Sequence, residues 1–313
     1  MSLVLLAGTS NRSLAEAIAA CLALPLAERE AARFPDGEMH IEIHASVRGC
    51  DVYLLQSTGP PVEENLFQLL LLADACRRAG AARLTGIVPY LGYARQDRRA
   101  TGREPVGARL IADLLAAGGI QRIVAVDLHS AALEGIFGMP LEHLTAVPLL
   151  GEKLRNDLGD DAVIVAPDLG ATKLAERYAR LLGLPVAFVH KRRLTGERVT
   201  VRGVTGEVRD RTPLIIDDMV TTGGTVEAAI GALLEAGCRA EVTVAATHGL
   251  FVGRAADRLR ALPVKRIVTT DSVAMPDQGS GLPILQVSLA PLLADVVSRL
   301  HGDRSLSDLI VHA

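Results

Sequence analysis

Four short apolar runs, Leu3 to Leu6, Val52 to Leu55, Leu84 to Val88 and Ile123 to Val126, alternate with stretches of helical spacing. Runs that are apolar on both faces do not suit a half-solvated antiparallel sheet. They are what parallel strands show when helices cover both faces of their sheet. The pattern resumes with Val163 to Ala166, Val186 to Val189 and Leu214 to Ile216, and 313 residues are enough for two domains of about 150 each.

The halves also repeat one another. Leu14-Ala15-Glu16 with Leu24-Pro25 returns as Leu174-Ala175-Glu176 with Leu184-Pro185; Ala79-Gly80 before Leu84-Thr85 returns as Ala236-Gly237 before Val242-Thr243; Arg122-Ile123-Val124 with Asp127 returns as Arg266-Ile267-Val268 with Asp271. Three matches in one order predict two similar Rossmann-like α/β domains related by duplication, each a mainly parallel sheet flanked by helices. The expected division is 1–147 and 148–313, with the last residues of the chain packing back on the first domain. Without a low-complexity linker the domains should pack closely, with ligands where the carboxyl ends of strands converge.

Within the second half, Leu214-Ile215-Ile216 leads through Asp217-Asp218-Met219-Val220 into Thr221-Thr222-Gly223-Gly224-Thr225, and a helical run follows from Val226 to Gly237. The threonines offer hydroxyls, and the glycines let a ligand approach amide groups at the positive end of the helix. That turn suits a phosphate monoester. Asp217 and Asp218, just upstream, would repel a bare phosphate but accept hydrogen bonds from neighbouring hydroxyls or hold a divalent cation. A sugar phosphate presents both features, although the spacing alone also fits an ordinary strand-to-helix loop with an acidic cap.

Composition narrows the partner. A net charge of −3 makes no basic field for nucleic acid, and four tyrosines, five phenylalanines and no tryptophan leave little base-stacking surface. No apolar stretch is long enough to span a membrane, and the first residues carry no basic leader, so a cytoplasmic protein is expected. Cys21, Cys50, Cys76 and Cys238 form no C-x-x-C pair and are expected as buried free thiols.

Further candidates lie at strand ends. Phe34-Pro35-Asp36-Gly37-Glu38 is a turn carrying an aromatic ring and two acids. Pro89 to Arg99, with Arg95 and Gln96, mixes aromatic faces, guanidinium forks for phosphate and an amide for a base edge. Neither Gly-Lys nor G-x-G-x-x-G occurs, so a nucleotide would not be held by a Walker-type loop. His129 follows the strand Ile123 to Val126, and Asp168 follows Val163 to Ala166, where it also fits as a cap for the helix from Lys173. His190-Lys191-Arg192-Arg193 opens a polar segment through Val208 that reads either as a decorated hairpin or as a loop closing over a triphosphate.

Taken together, Phe34 to Glu38, Pro89 to Arg99, Arg103-Glu104-Pro105, Asp127 to His129, Lys191 to Arg193 and Asp217 to Thr225 resemble the ribose-phosphate pyrophosphokinase family over nearly the whole chain. Phosphoribosyltransferases resemble it only in the acidic stretch. The resemblance implies two phosphoribosyltransferase-type domains and transfer of the β,γ-diphosphoryl group of ATP to the 1-hydroxyl of ribose 5-phosphate, with Mg²⁺, in a homo-oligomer built of dimers up to a hexamer. It implies ATP binding by Phe34, Asp36, Gly37, Glu38, Arg95 and Gln96, and metal binding by His129 and Asp168. Lys191 and Arg193 would stabilise the transition state. Asp217, Asp218, Thr221, Thr222, Gly223, Gly224 and Thr225, with Arg193, would hold ribose 5-phosphate. Many members carry an aspartate where Thr221 stands, which bears on metal preference more than on substrate. Two other readings are a phosphoribosyltransferase that consumes phosphoribosyl diphosphate, and a non-catalytic regulatory paralogue. The first gives no reason for Arg95, Gln96, His129 and Lys191 to occur together, and the second should have lost loop cations or metal ligands, whereas Lys191, Arg193, His129 and Asp168 all remain.

Overall fold

The computed structural model describes residues 1–195, 198–275 and 281–310, with the backbone alone for 191–195 and 198–202. The chain divides into two units: Met1–Thr145 with Ser272–Ala274 and Ser288–Ala313, and Ala146–Asp271 with Met275–Val287.

In the first unit, β1 (Leu3–Ala7) is followed by α1 (Arg12–Cys21), a two-stranded ribbon β2 (Arg29–Arg33) and β3 (Met39–Ile43), then β4 (Asp51–Leu55), α2 (Val62–Arg78), β5 (Arg83–Ile87), α3 (Gly107–Gly118), β6 (Arg122–Val126) and β7 (Leu141–Leu144). The sheet runs β1-β4-β5-β6-β7, parallel throughout. Every residue of β4 is buried, which accounts for its unbroken apolar run. Leu54, Leu69, Leu72, Leu115 and Ile123 share one core, each side chain contributing about 1.5–3 kcal/mol by leaving water.

The second unit contains α4 (Val147–Arg155), β8 (Ala162–Ala166), α5 (Thr172–Leu182), β9 (Val186–Thr195), β10 (Arg198–Thr205), β11 (Thr212–Val220), α6 (Gly224–Glu235), β12 (Val242–Gly249), α7 (Ala255–Arg260), β13 (Val264–Thr270) and β14 (Ile284–Val287). Its sheet order is β10-β9-β8-β11-β12-β13-β14. Without the β9–β10 hairpin this reads β8-β11-β12-β13-β14, the same order of succession as β1-β4-β5-β6-β7, and a two-stranded insertion follows the helix after the first strand of each sheet, α1 in one unit and α5 in the other. The ordered sequence matches fall on equivalent places of one plan: α1 and α5, β5 and β12, β6 and β13. The hairpin is antiparallel, so the segment that spacing left open between hairpin and loop has a hairpin backbone.

The last helix, α8 (Ala290–His301), packs with α1 in the first unit and buries Leu293, Val296 and Val297. Its end meets a buried carboxylate. Asp51, 1% exposed, accepts from Arg83 Nη2 at 2.5 Å and from the Tyr53 hydroxyl at 3.2 Å, and lies 2.8 Å from His301 Nδ1. Arg83 also reaches Asp303 at 3.1 Å. Burial first, and the Asp51 charge second, push the Tyr53 hydroxyl well above its ordinary value. A charge this deep is tolerable only because several donors converge on it.

The cysteines depart from expectation. Cys76 is buried, but Cys50 and Cys238 are half-buried and Cys21 is exposed, because the buried stripe of α1 runs through Leu14, Ala15, Ile18 and Ala19. Burial pushes the Cys76 thiol up to about 12. Since the thiolate is the nucleophile, iodoacetamide at mildly alkaline pH should modify Cys21 in the native protein and Cys76 about a hundredfold more slowly or less. Mass spectrometry before and after adding denaturant checks this.

Candidate active site

The site residues of the second unit gather where β11 outruns a neighbour. On one side β11 pairs with β8 only as far as Ile215; on the other it stays paired with β12 through Val220. Strand β11 is therefore longer than its apolar core, Leu214 to Ile216, and carries Asp217 and Asp218 beyond the end of the β8 ladder. Both acids are half-buried, and the Asp218 amide donates to Asp217 Oδ1 at 2.9 Å.

Asp168 belongs to the same electrostatic group. It follows β8, and its Oδ1 accepts from the amides of Gly170 at 3.0 Å and Ala171 at 3.3 Å. The capping alternative is thus met in part: Asp168 closes the turn ahead of α5, while Ala171 is that helix's N-cap and makes no side-chain cap bond. Burial holds the Asp217 carboxyl well above the usual carboxylate range, with Asp218 and then Asp168 pushing in the same direction. Three carboxylates with surplus negative charge form a hard-oxygen donor set suited to a divalent cation or to sugar hydroxyls.

Beyond Val220 the chain turns into α6. Gly223 takes φ +76, the left-handed region that glycine enters without Cβ strain, and acts as an N-cap with no side-chain bond. Gly223 thus offers no side chain to the opening amides of α6, whose positive end suits an anion. Thr221, Thr222, Gly223, Gly224 and Thr225 all lie in this turn or the first residues of α6.

The remaining candidates are more dispersed. Lys191 and Arg193 stand on β9 opposite Val201 and Val199; their side chains lie outside the described part of the molecule. His129 is exposed in the first unit, two residues beyond Asp127, which takes φ +37 at the end of β6. Phe34, 48% exposed, sits at the tip of the β2–β3 ribbon. There the Phe34 amide donates to Glu38 O, Gly37 takes φ +95 and Asp36 Oδ1 accepts from the Glu38 amide. Arg95 and Gln96 are exposed after β5, where Gln96 Oε1 occupies the space a Cβ on Gly107 would need. Among the described residues no hydrogen bond or ion pair joins the ribbon tip to Arg95 or Gln96. The structure thus gathers Asp168, Asp217, Asp218 and the 221–225 turn, and sets the other candidates on separate elements.

One side chain at the turn went unnoticed in the sequence. Arg258, on α7, donates to the Thr222 carbonyl at 2.7 Å and pairs with Glu227 at 2.9 Å. An arginine near the end of a short helix gives no sign of this contact.

Known proteins resemble this chain over both units. A family described as the N-terminal domain of ribose phosphate pyrophosphokinase matches residues 3–119, and the phosphoribosyl transferase domain family matches residues 146–277. The chain is 41% identical to a ribose-phosphate pyrophosphokinase of Caldanaerobacter subterraneus over 309 residues, covering 98% of each. With a Bacillus subtilis protein of the same name it shares 40% identity over 300 residues, 96% of this chain and 94% of the relative. The crystal structure of phosphoribosylpyrophosphate synthetase from Mycobacterium smegmatis superposes with a TM-score of 0.90 at 36% identity, covering 97% of this chain and all of that one.

An acid whose folded-state value is raised binds its proton more tightly in the folded chain. Its contribution to stability is therefore greatest below the ordinary carboxylate range and is lost as pH rises through the raised value. Asp217→Asn should remove that loss. At neutral pH the variant should unfold higher than the parent, by about 2–4 °C for each kcal/mol relieved, with the two curves meeting below the ordinary carboxylate range. Thermal unfolding followed by circular dichroism across pH checks it.

Proposed function

Because the chain belongs to the ribose-phosphate pyrophosphokinase family, we propose that it transfers the β,γ-diphosphoryl group of ATP to the 1-hydroxyl of ribose 5-phosphate, yielding phosphoribosyl diphosphate and AMP. The observation that carries this reading is the end of β11, where two half-buried carboxylates precede a left-handed glycine turn and a helix without a side-chain cap. Carboxylates for a diol and amides for an anion, in that order, suit a pentose phosphate.

In this reading Asp217 and Asp218 accept hydrogen bonds from the ribose hydroxyls, and Thr221, Thr222, Gly223, Gly224 and Thr225 wrap the 5-phosphate. The ribose is thereby oriented with its 1-hydroxyl toward the donor. That oxygen forms a bond to the β-phosphorus of ATP, loses its proton, and the bond from the β-phosphorus to the oxygen bridging the α-phosphate breaks, releasing AMP. Phe34, Asp36, Gly37, Glu38, Arg95 and Gln96 hold ATP, with the exposed Phe34 ring flanking adenine. Lys191 and Arg193 offset charge that grows on the transferred group, the main lever a protein has on phosphoryl transfer.

His129 and Asp168 are assigned to a divalent cation, which we take to be Mg²⁺. The crowding of Asp168, Asp217 and Asp218 fits a hard dication. When bound, such an ion screens repulsion between the anionic reactants. The assembly we propose is a homo-oligomer of dimers up to a hexamer. Among the described residues no helix is long and apolar enough to cross a membrane.

The phosphoribosyltransferase alternative would leave the match over residues 3–119 without a purpose. A regulatory paralogue would have no reason to keep Asp168, His129, Lys191 and Arg193 together.

With ATP, Mg²⁺ and ribose 5-phosphate, the purified protein should form AMP and phosphoribosyl diphosphate in equal amounts, followed by chromatography; ADP in place of AMP would mean single-phosphoryl transfer and overturn the assignment. Lys191→Ala should lower kcat by about a hundredfold while KM for ribose 5-phosphate changes little, as for a contact that strengthens in the transition state. Steady-state kinetics separates the two parameters, and an unchanged kcat would remove Lys191 from the chemistry.

A further inference from the structure

Three successive carbonyl groups at the end of β11 are taken by one neighbouring segment. Val220 O accepts from the amides of Leu250 at 2.9 Å and Phe251 at 3.2 Å, and Thr221 O from the amide of Val252 at 3.0 Å. Thr222 O, the last before the left-handed Gly223, accepts from Arg258 Nη1 at 2.7 Å. In a trans peptide the C=O of one residue and the N–H of the next point in opposite directions. Drawing these oxygens toward residues 250–258 therefore turns the amides of Thr221, Thr222 and Gly223 the other way. The result is a run of donors on the face opposite Arg258, continuous with the opening amides of α6.

Among the described residues that hold these carbonyls, only Arg258 does so with a side chain, and only it is charged. Its Nε lies 2.9 Å from Glu227 Oε2, in the first turn of α6, so one guanidinium ties the turn to the helix. It also neutralises a carboxylate that would otherwise stand beside an anion at that helix end. The next residue, Leu259, is buried in the core of the second unit and fixes the helix that carries Arg258.

We propose that Arg258 is a positioning residue for the 5-phosphate of ribose 5-phosphate: it reaches the substrate through the Thr222 carbonyl and through Glu227, not by touching it. The inference rests on the assignment of the 221–225 turn to ribose 5-phosphate and adds a residue that sets affinity and phosphate specificity there.

The test uses the full-length protein. Arg258→Ala should raise KM for ribose 5-phosphate by about tenfold, the effect of losing one charge-assisted hydrogen bond and uncovering one carboxylate, while KM for ATP stays within twofold by expectation. Preference for ribose 5-phosphate over unphosphorylated ribose should fall by the same factor, which general loosening of the fold would not produce. Arg258→Lys, able to donate to Thr222 O without bridging to Glu227, should recover part of the affinity and serves if the alanine variant does not fold. Titration calorimetry with ribose 5-phosphate separates the two levels of the argument. Parent protein that binds none overturns both the turn's assignment and this inference. Parent protein that binds it, beside arginine variants with unaltered affinity or with equal losses for ATP, overturns this inference alone.

Discussion

A strand held in the core carries two carboxylates past the point where one of its neighbours has ended, and the rest of the second unit answers to that. Strand β11 is paired on both sides through Ile215 and on one side only from Asp217 to Val220. The apolar residues before the acids anchor their backbone, which holds the half-buried carboxylates close to one another and to Asp168. Their mutual repulsion is imposed by the hydrophobic effect acting a few residues away. A ligand bringing hydroxyl donors or positive charge to this place relieves a cost that folding has already incurred.

The turn that follows works by the complementary rule. Peptide planarity couples each carbonyl to the next amide, so a site for an anion can be shaped from behind, by groups that draw oxygens away. Backbone amides from 250–252 and the Arg258 guanidinium do this. The face turned away from residues 250–258 is then built of main-chain N–H groups, while a Cβ on Gly223 or Gly224 would stand on the other side, toward Leu259 and Arg258.

Much of this was legible in the residues. Unbroken apolar runs announced parallel strands, and the repeated segments fell on equivalent elements of the two units. Asp217 to Thr225 was legible as a strand end, a polar turn and a helix start because each leaves a local mark. What escaped depends on contacts distant in sequence. The extension of β11 to Val220 is decided by pairing with β12, and Arg258 meets Thr222 only because α7 is folded against the turn. The exposure of Cys21 follows from which face of α1 is covered, and α8 helps to cover it. Local periodicity carries no record of such partners.

The first unit is assembled from separate stretches of chain. Its sheet is complete by Leu144, yet α1 is still missing α8, and the buried carboxylate of Asp51 still lacks His301. The polypeptide supplies both only after the whole of the other sheet has been spelled out. During synthesis, then, the earlier-made half must wait for the last-made helix. A gene cut after the codon for Thr145 would encode a layer short of a domain, whereas one that rejoined residues 288–310 to that fragment would restore its missing cover.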